Sequence, residues 1–261
     1  LTSSILPQMR KLLDHSRDFG PKAPITEALV DIRTKTPDDL ELDELRGFVT
    51  PLSKRYTNSK LQTHFESHIR VEGGQPTPTV VARHAARGFS FFTANQDRVV
   101  QARRDGYTFS KLPPYESWAE LKNEATELWV RYKEVARPET VDRVAVRYIN
   151  RIPLPKEGIK VEEWFDLHPN APETLGPMRE FLVRIAVTHP DNPQYRAVVT
   201  QATQPRAEDG ALAMILDIDV FTIVDLNPES EEIWQTLDEL RVFKNDVFFG
   251  TITKKTEESL L

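Results

Sequence analysis

The residues of this chain best equipped for chemistry are arginines and carboxylates at strand spacing, and the densest stretch is Val141 to Pro155, VDRVAVRYINRIPLP. Its alternation predicts one long strand, with Val144, Val146, Tyr148 and Ile152 on one face and Arg143, Arg147 and Arg151 on the other. A guanidinium fork binds carboxylate or phosphate through paired N–H donors, so these three need either carboxylates of the same molecule or a bound anion. Glu27 and Asp31, on one side of a predicted strand Ile25–Arg33, are internal candidates. If the two strands pair at a sheet centre, Glu27 and Asp31 face Arg143, Arg147 or Arg151 and form a structural charge cluster.

A second basic group, Arg87, Arg98, Arg103 and Arg104, falls in a predicted meander close to Tyr107. Arginine beside an aromatic ring can stack single-stranded nucleic acid, which makes these five a candidate partner-binding surface. The competing reading is a solvated sheet edge whose charges discourage aggregation. Arg87–Phe92, RGFSFF, partly matches an RNA-recognition strand, but Ala94 stands where the last aromatic is needed and Ile25–Arg33 has no aromatic for the partner segment. Phe89 and Phe91 therefore read as core.

Other constellations point away from catalysis. His64, Glu66 and His68 alternate on one strand face, which sets the outer two roughly 13 Å apart, too far for one ion. Asp217 and Asp219 share a face and could hold Mg²⁺ or pair with arginine, the latter being preferred. His84, His168 and His189 stand alone, and no phosphate-binding glycine loop, nucleophile elbow or His-Glu-x-x-His occurs. No catalytic, cofactor-binding or metal residue is assigned, and no cofactor is expected.

Composition narrows the class. The 261 residues carry a net charge of −6, with 39% hydrophobic and 28% charged residues, ordinary for a globular protein and unfavourable to non-specific nucleic-acid affinity. There are no cysteines, hence no disulfide, thiolate nucleophile or cysteine-bound zinc, which fits a cytoplasmic protein. No apolar run reaches the ~18 residues of a membrane span, and the first twenty residues reverse the charge order of a signal peptide.

The elements that position these residues follow from apolar periodicity. Residues 1–23 read as an arm. A helix is expected from an Asp38 cap through Leu52, a strand over Leu61–Val71, and a loop over Gly73–Pro78. Strands follow at Arg87–Thr93, Arg98–Arg104 and Tyr107–Leu112. A helix capped by Ser117 then runs to Pro138. The second half offers the arginine strand, a short helical piece near Val161–Phe165, and strands at Met178–Val187, Tyr195–Thr203 and Ala211–Ile223. A helix capped by Asn227 with Pro228 at its first position closes it. Residues 24–138 and 139–253 thus repeat strand, helix, meander, helix within one compact unit, followed by a tail at 254–261. The expectation is an α+β fold: an antiparallel sheet with helices on one face, in a TATA-binding-protein-like or helix-grip-like arrangement.

APITEALVDIR at 23–33, RGFSFFTANQDRVVQARRDGYTFSKLPPYESW at 87–118, RYINRIPLP at 147–155 and LRVFKNDVFFGTIT at 240–253 together resemble a sporadically distributed bacterial family of about 250 residues. That family has no established biochemical activity and no catalytic residues to carry over. Its patchy occurrence implies an accessory role in a bacterial defence or toxin–antitoxin locus. The resulting expectation is a non-enzymatic binding or regulatory protein with a protein partner. The alternative is a single-stranded nucleic-acid binder or metal-independent nuclease using the first-meander arginines.

Overall fold

The computed structural model describes residues 23–66, 70–72, 75–77, 83–155, 159–176, 178, 180–204 and 212–261. The side chains of His64, Glu66, His68 and His84, and the arm before Ala23, lie outside the described residues. Eleven strands are described: β1 (Ile25–Lys35), β2 (Tyr56–Glu66), β3 (Arg70–Glu72), β4 (Gln75–Thr77), β5 (Arg83–Thr93), β6 (Arg98–Arg103), β7 (Gly106–Lys111), β8 (Thr140–Leu154), β9 (Leu182–Thr188), β10 (Arg196–Gln204) and β11 (Leu212–Leu226). Nine of them form one antiparallel sheet in the order β2-β5-β6-β7-β1-β8-β11-β10-β9, while β3 and β4 make a separate hairpin. The fold is α+β, and β1 and β8 pair at its centre over almost their whole length.

Alternation decides what each sheet face meets. Val30, Ile32, Val144, Val146, Tyr148, Ile218 and Val220 are buried on one face. Helix α1 (Trp118–Ala136) packs there against β1 and β7, and helix α2 (Glu232–Thr251) against β8 and β11. Ser117 caps α1 by accepting from the Glu120 amide, and Arg137, at φ 51°, ends it. The two helices are tied where Asp238 accepts from Trp118 Nε1 at 2.8 Å and from Lys122 Nζ at 2.6 Å. Two glycines are required by close backbone approach: a Cβ on Gly88 would meet the Ala102 carbonyl oxygen at 2.1 Å, and one on Gly106 the Ile32 carbonyl oxygen at 2.4 Å.

Several expectations change. The segment after Asp38 is a 3-10 helix, Leu42–Leu52, closed by a capping box between Glu41 and Glu44 and containing Pro51, whose ring opposes a regular α-helix. Leu61–Val71 divides between β2 and β3, and Gln75–Thr77 of the expected loop forms β4. The strand expected from Met178 begins at Leu182. Asn227 caps a turn through the Glu229 amide, and α2 starts only at Glu232. The expected tail is instead a short helix, α3 (Lys254–Leu260), anchored where the buried Thr256 hydroxyl donates to the Trp164 carbonyl at 2.5 Å. Among the described residues no helix is long and apolar enough to cross a membrane.

Candidate functional site on the open sheet face

The face of the sheet away from α1 and α2 is where the polar residues of the central strands converge. Register places Arg33 opposite Arg143 and Gly106, Asp31 opposite Thr108, and Arg147 opposite Leu29 and Asp219. Asp31 is the hub. One carboxylate oxygen accepts from Arg103 Nη2 at 2.9 Å and Thr108 Oγ1 at 2.6 Å, and the other from Arg33 Nε and Arg143 Nη1, both at 3.0 Å. Burial alone would push this carboxyl up, but the Arg103, Arg33 and Arg143 guanidiniums and the Thr108 hydroxyl outweigh it and hold Asp31 below the usual carboxylate range.

Arg143 joins this hub to a second carboxylate, Asp219, which accepts from its Nη2 at 3.0 and 3.2 Å. For Asp219 burial prevails over Arg143 and Arg147, and the nearby Asp31 charge adds to it, so its carboxyl sits above the ordinary value. Arg147 grips Asp217 with two parallel bonds of 2.8 and 2.5 Å, and that pairing is the main reason its guanidinium is held more firmly protonated than usual. Arg151 donates to Gln204 Oε1 at 2.8 Å. Glu27 lies on the same face and contributes its charge to the field at Arg147. Asp217 and Asp219 are thus both engaged by arginine.

The first-meander residues do not share one surface. Arg103 is only 6% exposed, enclosed by Asp31, Asp105, Gln101 and Thr108. Arg98 points to the helix-covered face and bonds Glu124 at 2.9 Å, with Asp97 on its other side. Tyr107 has no exposed surface, and its hydroxyl donates to the Ala125 carbonyl at 3.0 Å. The parity of a strand explains the split: Arg98 and Arg103 are an odd number of residues apart and so face opposite ways. Arg87, the extra residue of a bulge against β2, reaches Asp105 at 3.6 Å from the open side, and Arg104 is exposed. Phe89 and Phe91 are buried in the core.

Between these side chains lies a depression of about 460 Å³ bordered by Leu29, Asp31, Arg33, Gln101, Arg103, Thr108, Arg143, Arg147 and Asp219. A second, of about 490 Å³, shares Arg33, Gln101 and Arg103 and extends to Arg87 and Gln62. Among the described residues cations outnumber carboxylates here. Register adds Lys60, Arg184 and Arg196 to the arginines already placed, against Glu27, Asp31, Asp105, Asp217 and Asp219, in a chain whose net charge is −6. Arg33, Gln101, Asp105 and Thr108 were not singled out from sequence, although Arg33 stands two residues from Asp31 and so had to share its face.

Among the described residues two phenylalanines reach the open face, and both rings are covered by a cation: Phe92 by Lys60 at 5.4 Å and Phe221 by Arg143 at 4.5 Å. Among the described residues no group of three histidines or carboxylates is placed to hold a metal ion. No family model matches the chain, and neither the comparison with curated proteins nor that with solved structures found a significant match.

Proposed function

We propose that this is a non-enzymatic binding protein that takes an acidic segment of a protein partner against the helix-free face of its sheet. The observation that carries the reading is the depression bordered by Arg33, Arg103, Arg143 and Arg147 around Asp31 and Asp219. Its guanidiniums are fixed by strands and by each other's carboxylates, so little side-chain entropy remains to be lost on binding. Arg33 and Arg147 keep 38% and 43% of their side chains exposed, enough for each to accept an additional carboxylate at its outer edge.

Nucleic acid is the weaker reading. Carboxylates interleave with the arginines and repel a phosphate chain, and the open-face rings of Phe92 and Phe221 are already covered. We further propose that the sheet is a duplicated unit of the TATA-binding-protein-like kind. Outward from the centre, β1, β7, β6 and β5 on one side correspond to β8, β11, β10 and β9 on the other, and each half ends in a helix on the same face.

Fluorescence anisotropy with a labelled poly-glutamate peptide and a single-stranded oligonucleotide of equal charge separates the alternatives. The peptide is expected to bind more tightly, with an affinity that falls as salt rises. Tighter binding of the oligonucleotide would replace this reading with the nucleic-acid one.

A further inference from the structure

Among the described strands the sheet has two edges, β2, which pairs with β5 alone, and β9, which pairs with β10 alone; they differ in that β2 pairs across a bulge and β9 does not. β9, LVRIAVT, pairs with β10 through an unbroken register, and Leu182 is 69% exposed and Val187 37% exposed. It has a single charge and no proline or bulge of the kind that normally blunts an edge strand.

We infer that the outer edge of β9 is a self-association surface on which a second copy of this chain adds its own β9 antiparallel across a twofold axis at Ile185. The argument for a second copy is the palindrome Val183-x-Ile185-x-Val187. An antiparallel pair centred on Ile185 sets Ile185 against Ile185 and Val183 against Val187 of the other copy, all on the helix-bearing side. Arg184 meets Ala186, so the arginines are not set directly against each other.

Backbone direction agrees with this register. The His189 amide donates to the Tyr195 carbonyl at 2.8 Å, and the Phe181 carbonyl accepts from the Thr203 amide at 3.2 Å. Odd-numbered residues of β9 therefore turn their peptide groups towards β10, and Leu182, Arg184, Ala186 and Thr188 turn theirs to the free edge. Centring on Ile185 pairs Arg184 with Ala186 and Leu182 with Thr188 of the other copy, each pair exchanging two backbone hydrogen bonds. A centre on Arg184 or Ala186 would break the palindrome, pairing Ile185 with one valine and leaving the other opposite a residue beyond the strand.

This surface is separate from the arginine-lined depression, and its test does not depend on partner binding. A seven-residue edge makes a small interface, so a dissociation constant on the order of 10 µM is expected. Sedimentation of the full chain over a concentration series should show a monomer–dimer equilibrium. Ala186→Pro removes an outward amide while sparing those that bond β10, and should weaken the dimer at least about tenfold with an unchanged melting temperature. Because the chain has no cysteine, Ile185→Cys should form a disulfide-linked dimer on mild oxidation, whereas Leu182→Cys should not. A wild-type chain monomeric to several hundred micromolar overturns the proposal and leaves the edge to a strand of another protein. A dimer indifferent to Ala186→Pro, or one that cross-links as readily in the Leu182→Cys variant as in the Ile185→Cys variant, overturns it equally.

Discussion

The Asp31 carboxylate and the Arg103 guanidinium, 72 residues apart in the chain, lie 2.9 Å from each other, and neither residue is more than 7% exposed. Together with Arg33, Arg143 and Thr108 they bind β1, β6, β7 and β8 into one polar lattice. A carboxylate so enclosed is stable as an ion because every donor around it is already aimed.

Removing that charge should be costly. Asp31→Asn leaves three guanidiniums around a neutral amide and is expected to destabilise the fold by about 3–5 kcal/mol, measured by urea unfolding. Asp219→Asn is expected to change stability by less than about 1 kcal/mol, because burial already disfavours the Asp219 charge and Asn keeps an acceptor for Arg143. Equal losses in the two variants would contradict the hub role of Asp31.

The two carboxyls also set opposite pH dependences. Asp31 titrates lower in the folded chain than in the unfolded one, so its contribution is present above about pH 4 and disappears as pH falls through its folded value. Asp219 titrates higher when folded, so its protonation on acidification favours the native state slightly. Unfolding midpoints from pH 7 to 3 should therefore stay nearly level at first and then drop below about pH 4. The Asp31→Asn curve should show a smaller final drop, the remainder belonging to other carboxyls held low in the fold, Asp97 beside Thr93 and Arg98 among them.

Glycine substitutions test the sheet geometry. Gly88→Ala and Gly106→Ala each drive a Cβ into a backbone carbonyl, and should cost more than about 2 kcal/mol. Gly47→Ala, with nothing within 4 Å of its added carbon, should be neutral or mildly stabilising. Calorimetric melting of the three variants gives the comparison.

Tyr107 is placed as a structural residue. Tyr107→Phe loses the bond to Ala125 and should cost about 1–2 kcal/mol of stability while leaving poly-glutamate affinity unchanged. A drop in affinity at constant stability would return Tyr107 to the binding surface.

The central strands were legible because Val144, Val146, Tyr148 and Ile152 alternate with Arg143, Arg147 and Arg151, and one hydrophobic face then implies where those arginines point, although Asn150 is buried on the apolar face and the pattern slips at Val141. Helix α1 was legible for similar local reasons, its apolar periodicity and the Ser117 cap, whereas the β1–β8 pairing entered only as the condition for the charge cluster. The first meander misleads because closeness in sequence is not closeness in space, and parity alone already separates Arg98 from Arg103. The role of Arg87 depends on a bulge, that of Asp105 on a turn, and the Arg147–Asp217 grip on the register between β8 and β11. Those are long-range choices that no short window of residues contains.

The open-face reading stands or falls with Arg33 and Arg147, whose outer edges are exposed while their carboxylate partners stay in place. The direct measurement is poly-glutamate affinity of Arg33→Gln/Arg147→Gln beside that of Lys54→Gln/Lys254→Gln, which removes the same charge at exposed positions off this face without setting a new carboxylate beside Asp31 or Asp217. The account predicts at least about a tenfold loss in the arginine pair and less than about a threefold loss in the lysine pair, both variants remaining folded. Equal losses would mean that net charge alone governs binding and would contradict a site on the sheet face.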